Sequence, residues 1–174
     1  MVRYRRNKTR NPDDIFFLAI VCANRHPYFN NPEKLEIVLA AMKRISSRFN
    51  LEYKAWVILP DHLHLLLEPG KVDYSKVVPS LKRMVTTSMR NRGFAGTRTA
   101  IWQDRFWEHT IRDDDDYQQC VGYIHYNPVK HGLVSTPVEW QYSSIHQFIR
   151  DGLYGDDWGN WVKVDIDGAE YDSD

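Results

Sequence analysis

Residues Ala55–Gly70 read AWVILPDHLHLLLEPG: two apolar runs meet at Pro60-Asp61, and the second run opens on His62, Leu63 and His64. Proline presets φ and aspartate bonds back to its own backbone, so Pro60-Asp61 predicts a tight turn between strands at Glu52–Leu59 and His62–Glu68. Successive side chains of a strand point to opposite faces. Both imidazoles therefore project to one side, close enough to share a divalent cation. Taken alone, such a His-x-His is more often a pair of core histidines with hydrogen-bonded ring nitrogens.

The rest of the chain supplies a sheet for this hairpin. Ile15 to Cys22, IFFLAIVC, is apolar throughout and too short for a typical helix, which predicts a central strand buried on both faces. Pro32 opens an amphipathic helix to Phe49, with Leu35, Val38, Leu39, Met42, Ile45 and Phe49 at helical spacing. A second helix follows from Ser75 to Arg92, carrying Val77, Val78, Leu81, Met84, Val85 and Met89, with a basic side of Lys76, Lys82, Arg83, Arg90 and Arg92. A fourth strand is expected near Phe106 to Ile111. Asp113 to Asp116 then cap a third helix from Asp114 to Asn127, since carboxylates favour the positive end of the helix dipole, and this needs no metal. Turns or a short helix should follow Pro128, with a further short helix over Trp140 to Arg150. The order strand, helix, strand, strand, helix, strand, helix predicts an α+β fold, a ferredoxin-like antiparallel sheet with helices packed on one face.

A chain of 174 residues suits one domain. It has no apolar run near the roughly twenty residues of a membrane span and no apolar segment of a signal peptide, so a cytoplasmic protein without a membrane partner is expected. Cys22 and Cys120 lie in apolar segments without CxxC spacing and read as core residues. The net charge of zero conceals an asymmetry: residues 1–150 carry 22 basic and 15 acidic groups, whereas eight acidic residues and Lys163 alone follow from Asp151 onward. A basic body suits a polyanion. Arg3, Arg5, Arg6, Lys8 and Arg10 make the first residues either a basic arm that neutralises phosphates or simply a solvated start. The expected division is a basic arm over 1–12, a catalytic domain over 13–150 and an acidic, poorly ordered tail over 151–174.

A second stretch carries chemistry. In YIHYNP, Tyr123 to Pro128, Tyr123 and Asn127 stand one helical turn apart with Asp116 in line below, while Tyr117, Cys120, Val121 and Ile124 form the neighbouring stripe that docks on the sheet. The tyrosine and amide are thus expected to face out beside the packing surface. Asn127 precedes a proline, which predicts that it ends the helix. A rim aromatic and a helix-terminating asparagine would read the same way.

LPDHLHLLLEPG together with YIHYNPVKHGLV closely resembles the single-tyrosine HUH transposases, IS200-like, and especially the REP-associated tyrosine transposases of bacteria. The resemblance spans roughly residues 10 to 145, with Asp61 where many members have asparagine. It implies an HUH endonuclease-like fold and a metal-dependent endonuclease and strand transferase, a transposase that cleaves single-stranded DNA at hairpins. Tyr123 falls on the nucleophile, which would form a 5′-phosphotyrosine, and His62, His64 and Asn127 fall on the ligands of a divalent metal, Mg²⁺ or Mn²⁺. A tyrosine of ordinary pKa near 10 is a poor nucleophile at neutral pH, which is why such a site needs an ion. Single-stranded or hairpin DNA is the implied partner, with the basic arm, Lys82, Arg83 and Lys130 as candidate phosphate contacts, and the protein a monomer or homodimer. A non-catalytic DNA-hairpin-binding regulatory protein derived from such a transposase is the alternative.

Overall fold

A computed structural model describes residues 14–70, 72 and 74–159. The basic arm and the tail beyond Gly159 lie outside them. Four strands, β1 (Phe16–Val21), β2 (Glu52–Ile58), β3 (His62–Glu68) and β4 (Trp107–Thr110), alternate with α1 (Pro32–Phe49), α2 (Tyr74–Asn91), α3 (Asp114–Lys130) and α4 (Ile145–Arg150). The sheet is antiparallel throughout in the order β2-β3-β1-β4, the ferredoxin-like arrangement expected of two helical crossovers.

The central strands are apolar on both faces, and each face has its own cover. Leu18 and Ile20 of β1 join Leu63, Leu65 and Leu67 of β3 in a core with Leu35, Val38, Met42 and Ile45 of α1 and Leu81 and Val85 of α2. Phe17, Ala19, Ala55, Val57 and Leu66 point the other way, against Cys120, Val121 and Ile124 of α3. The crossover helices share one face, as expected. The third helix takes the opposite one, because a strand apolar on both sides leaves a second surface to remove from water.

Both ends of α3 follow from its sequence. Asp113 caps it, accepting from the Asp116 amide at 2.9 Å. At the other end the helix runs past Asn127 to Lys130, correcting the expected stop before Pro128. A proline in the final turn removes one backbone bond there, and the end is closed instead by Gly132 at φ 66°, with its N–H on the Val129 carbonyl and that of Leu133 on the Pro128 carbonyl.

The helix expected over Trp140 to Arg150 begins only at Ile145, since the residues before it bond to β2 instead, with Ser143 bridging Val57. Ile58 N donates to Tyr142 O and Ser144 N to Trp56 O, both at 2.9 Å. Trp140 Nε1 donates to Ile58 O at 2.9 Å, and Ser144 Oγ accepts from the Trp56 amide at 2.8 Å. Cys22 and Cys120 are both buried free thiols, as expected.

Candidate active site

The register of the sheet decides which way the histidines face. His64 lies opposite Ala19 and Val57, and His62 opposite Val21, so both imidazoles share the face covered by α3. Tyr123 and Asn127 come down on that same face. Expected to point outward, they are instead buried, at 1% and 0% exposure, over His62 and His64 at 1% and 0%. The structure thereby brings the four residues together: the two imidazole centroids are 4.8 Å apart, the His64 and Tyr123 rings 5.2 Å, and His62 Nε2 is 3.3 Å from Asn127 Oδ1. Phe17 packs beneath, 5.3 Å from the His64 ring and 5.9 Å from that of Tyr123.

Several positioning residues were not visible as such in the sequence. Asp61 Oδ1 accepts from His62 Nδ1 at 2.6 Å, and its backbone carbonyl accepts from Cys22 N at 2.8 Å, tying the turn to the end of β1. Arg25 Nη1 reaches the other Asp61 oxygen at 3.4 Å from a left-handed corner, with φ of 52° at Asn24 and 47° at Arg25. Two consecutive non-glycine residues in that region store strain, a feature that gathers at functional sites. The His131 ring lies 4.9 Å from that of His62. Lys130 Nζ donates to the Tyr123 hydroxyl at 3.2 Å.

The electrostatics suit a metal ligand set. Burial alone would raise the Asp61 carboxyl, but the His62 hydrogen bond and the charges of His62, Arg25 and His131 outweigh it and hold it below the usual range. Burial first, then the positive charges of His62, His131, Lys130 and Arg25, drive His64 well below the ordinary imidazole value, so its ring is neutral at neutral pH. Asp61 holds His62 by Nδ1, which leaves Nε2 facing the Asn127 carbonyl oxygen across 3.3 Å. Two acceptors at that spacing match adjacent ligands of one small cation, which at bonds of about 2.1 Å lie about 3 Å apart. A ligating histidine whose other nitrogen is held by a carboxylate is the usual supporting arrangement. Asn127 Nδ2 is buried with no hydrogen-bond partner among the described residues, so the amide is held from its oxygen end. These donors fit a divalent ion.

The remaining expectations fall around this centre. Lys82 donates to the carbonyl oxygens of Gln103 at 2.7 Å and Arg105 at 3.4 Å, while Arg83 is exposed on the same helix. Arg3, Arg5, Arg6, Lys8 and Arg10 lie outside the described residues. Trp102 and Phe106 pack against the α1–α2 core and Trp107 against the α3 core.

A second titratable group, His109, Asp116 and Cys120, brings its ligand-type atoms within 4.8 Å of one another. Its chemistry is that of a clasp between β4 and α3. Asp116 already accepts from His109 Nε2 at 2.8 Å and from Arg112 N and Nε at 2.9 and 3.1 Å. Burial, then the Asp116 charge, push the Cys120 thiol up to about 12, so it stays protonated. Burial also works to raise Asp116, but the bonds from Arg112 and His109 prevail and its carboxyl is lowered. A lowered folded-state value lends stability that is full above the ordinary carboxylate value and is lost as pH falls through the folded one. The gap in unfolding temperature between wild type and D116N is therefore expected to be constant above about pH 5 and to close toward about pH 2. Thermal unfolding followed by circular dichroism across that range checks it; a gap that persists in acid would mean the carboxylate charge contributes nothing.

An antiparallel sheet that presents two histidines of one strand to a tyrosine and an asparagine one turn apart on a covering helix is the site expected of a single-tyrosine transposase. The chain belongs to the family described as "Transposase IS200 like", which matches residues 15–127, and it is a transposase enzyme. Among its relatives, a Haemophilus influenzae protein assigned to the REP-associated tyrosine transposases is 36% identical over 97% of this chain and 99% of its own length. The REP-associated tyrosine transposase of Escherichia coli is 41% identical over 64% of each chain. A solved structure of a REP-associated tyrosine transposase bound to a REP hairpin superposes with a TM-score of 0.79 at 32% identity, covering 91% of both chains. No helix among the described residues is long and apolar enough to cross a membrane.

Proposed function

We propose that this chain is a metal-dependent endonuclease and strand transferase that cleaves single-stranded DNA at a hairpin through a 5′-phosphotyrosine at Tyr123. The observation that carries the reading is the convergence of His62, His64, Tyr123 and Asn127 in one buried cluster. His62, His64 and Asn127 would hold the divalent ion, Mg²⁺ or Mn²⁺, which when bound polarises the scissile phosphate and stabilises the departing 3′ oxygen.

The chain's own residues supply the rest. Tyr123 Oη attacks phosphorus as the bond to the 3′ oxygen breaks, leaving a phosphotyrosine and a free 3′ hydroxyl. The new ester keeps the energy of the old one, so the same site can join a different 3′ end without a nucleotide cofactor. Phe17 braces the Tyr123 ring, and Asp61 fixes the His62 ring. The positive surroundings of Arg25 and Lys130 favour an anionic backbone at this face. Arg83 and Lys130, Lys82 beside the 103–105 loop, and the arm residues Arg3, Arg5, Arg6, Lys8 and Arg10 are the proposed phosphate contacts. We assign the arm to 1–12, the chemistry to 13–150 and the acidic tail to 151–174.

The REP hairpin bound to the solved relative supports a hairpin substrate. An intact set of four site residues gives the purely DNA-binding alternative no support. The test mixes the wild-type protein with end-labelled hairpin DNA carrying single-stranded flanks and with Mg²⁺ or Mn²⁺, then separates the products under denaturing conditions. Label migrating with the protein is the expected result, and its absence across a panel of hairpins overturns the reading.

A further inference from the structure

Lys130 lies two helical turns after Tyr123, at the exposed end of α3, and its side chain turns back along the helix rather than outward. Its ammonium donates to the Tyr123 hydroxyl oxygen at 3.2 Å and rests 4.8 Å from the ring centroid. We infer that Lys130 is a catalytic residue that holds the Tyr123 oxygen and balances the charge it carries during phosphoryl transfer, in addition to any contact with DNA; the inference rests on the reading of Tyr123 as the nucleophile.

The need for such a partner follows from where the phenol sits. Tyr123 is 1% exposed, against the rings of Phe17 and His64. Water cannot solvate a phenolate well in such a place, so charge on the oxygen must be met by a fixed cation or donor. The nearby positive groups have other partners: Arg25 is on Asp61, and the His131 ring is against His62. Lys130 touches the reacting oxygen itself. A lysine ammonium is a compact charge with three donors on a flexible stem, so one N–H can stay on the phenol oxygen while that oxygen approaches phosphorus.

Both directions of the reaction use the contact. In cleavage the Tyr123 Oη–P bond forms and the P–O3′ bond breaks, and the proton lost by the phenol is the one the 3′ oxygen gains through solvent. In rejoining, a 3′ hydroxyl oxygen bonds to phosphorus and the phenol oxygen departs with the electron pair of the broken ester. That departing oxygen is the atom to which Lys130 Nζ is bonded, and it takes up the proton released by the 3′ hydroxyl. A residue that only held the DNA backbone would change affinity; one acting on this oxygen changes both rates.

The test compares wild type, K130M and K130R under single-turnover conditions with saturating labelled hairpin DNA and Mn²⁺. Three quantities are read: the rate of adduct formation, the rate at which isolated adduct is resolved by an excess strand with a free 3′ hydroxyl, and the hairpin dissociation constant. K130M is expected to slow both rates by about 10²–10³-fold at saturating hairpin, beyond any fall in affinity from its proposed phosphate contact, and K130R to recover at least about tenfold of the loss, because it restores a charged donor. Lys130 is exposed, and an unchanged unfolding temperature keeps folding out of the comparison. Rates of K130M within about threefold of wild type, or a loss confined to affinity, overturn the inference while leaving the reading of Tyr123 in place. A wild type that forms no adduct overturns that reading, and this inference with it.

Discussion

Y123F is expected to lose the covalent adduct completely, with strand cleavage reduced by at least about three powers of ten and hairpin affinity within about threefold of wild type. The size of the effect follows from the role: without Oη no ester can form, and removal of a nucleophile is among the costliest substitutions in enzymes of this type. The specificity follows from the packing. Phenylalanine keeps the ring that lies 5.2 Å from His64 and 5.9 Å from Phe17, and gives up only the oxygen bonded by Lys130. The fold should therefore change in stability by no more than about 1 kcal/mol, the usual worth of one hydrogen bond. Denaturing electrophoresis of labelled DNA, with thermal unfolding as control, reads both quantities. Adduct that persists in Y123F would move the nucleophile to another residue.

The second large effect is expected at His64. H64Q removes an imidazole donor while keeping a polar side chain of similar reach. A bound divalent ion contributes several kcal/mol to such a reaction, so cleavage at a fixed Mn²⁺ concentration should fall by two to four powers of ten, at about 1.4 kcal/mol per decade. The remaining rate should need more Mn²⁺ to reach half its maximum, and a chelator should bring wild type below that remaining rate. His64 is suited to reveal this because it is fully buried between Phe17 and Tyr123 and neutral at working pH. No neighbouring group can swing in to replace it without displacing those rings. An H64Q protein within tenfold of wild type, with unchanged Mn²⁺ dependence, would remove His64 from the ligand set.

How much of this was legible in the sequence depends on which periodicity carried it. The two-residue repeat of β3 fixed the common face of His62 and His64, and the register bore that out. The Asp113 cap was legible because a cap is a local bond to the residue three positions on. The inward turn of Tyr123 and Asn127 was not: a helical repeat gives the angle between two stripes, but the width of the buried arc depends on what lies beneath. Phe17, Ala19 and His64 form a floor broad enough to take in Tyr123 beside Cys120, Val121 and Ile124. Pro128 misled for a related reason, since its local penalty is small in a last turn already closed by Gly132. Asp61 suited the turn and left open whether it assists the metal, and Arg25 carried no pattern at all, because its contact spans thirty-six residues. Trp140 to Ser144 read as helical while their hydrogen bonds went to a strand more than eighty residues away.

That last segment also determines what the protein must avoid. An edge strand with free N–H and C=O groups is a template on which another chain can add itself. By lying along β2 and answering the amide of Ile58 and the carbonyl of Trp56, residues 140–144 occupy that template from within the same chain. A fragment cut before Trp140 would keep every residue of the proposed active site and lose this guard. Such a fragment should self-associate through β2 and leave solution, so the shortest soluble form extends well past the last residue proposed to take part in the chemistry.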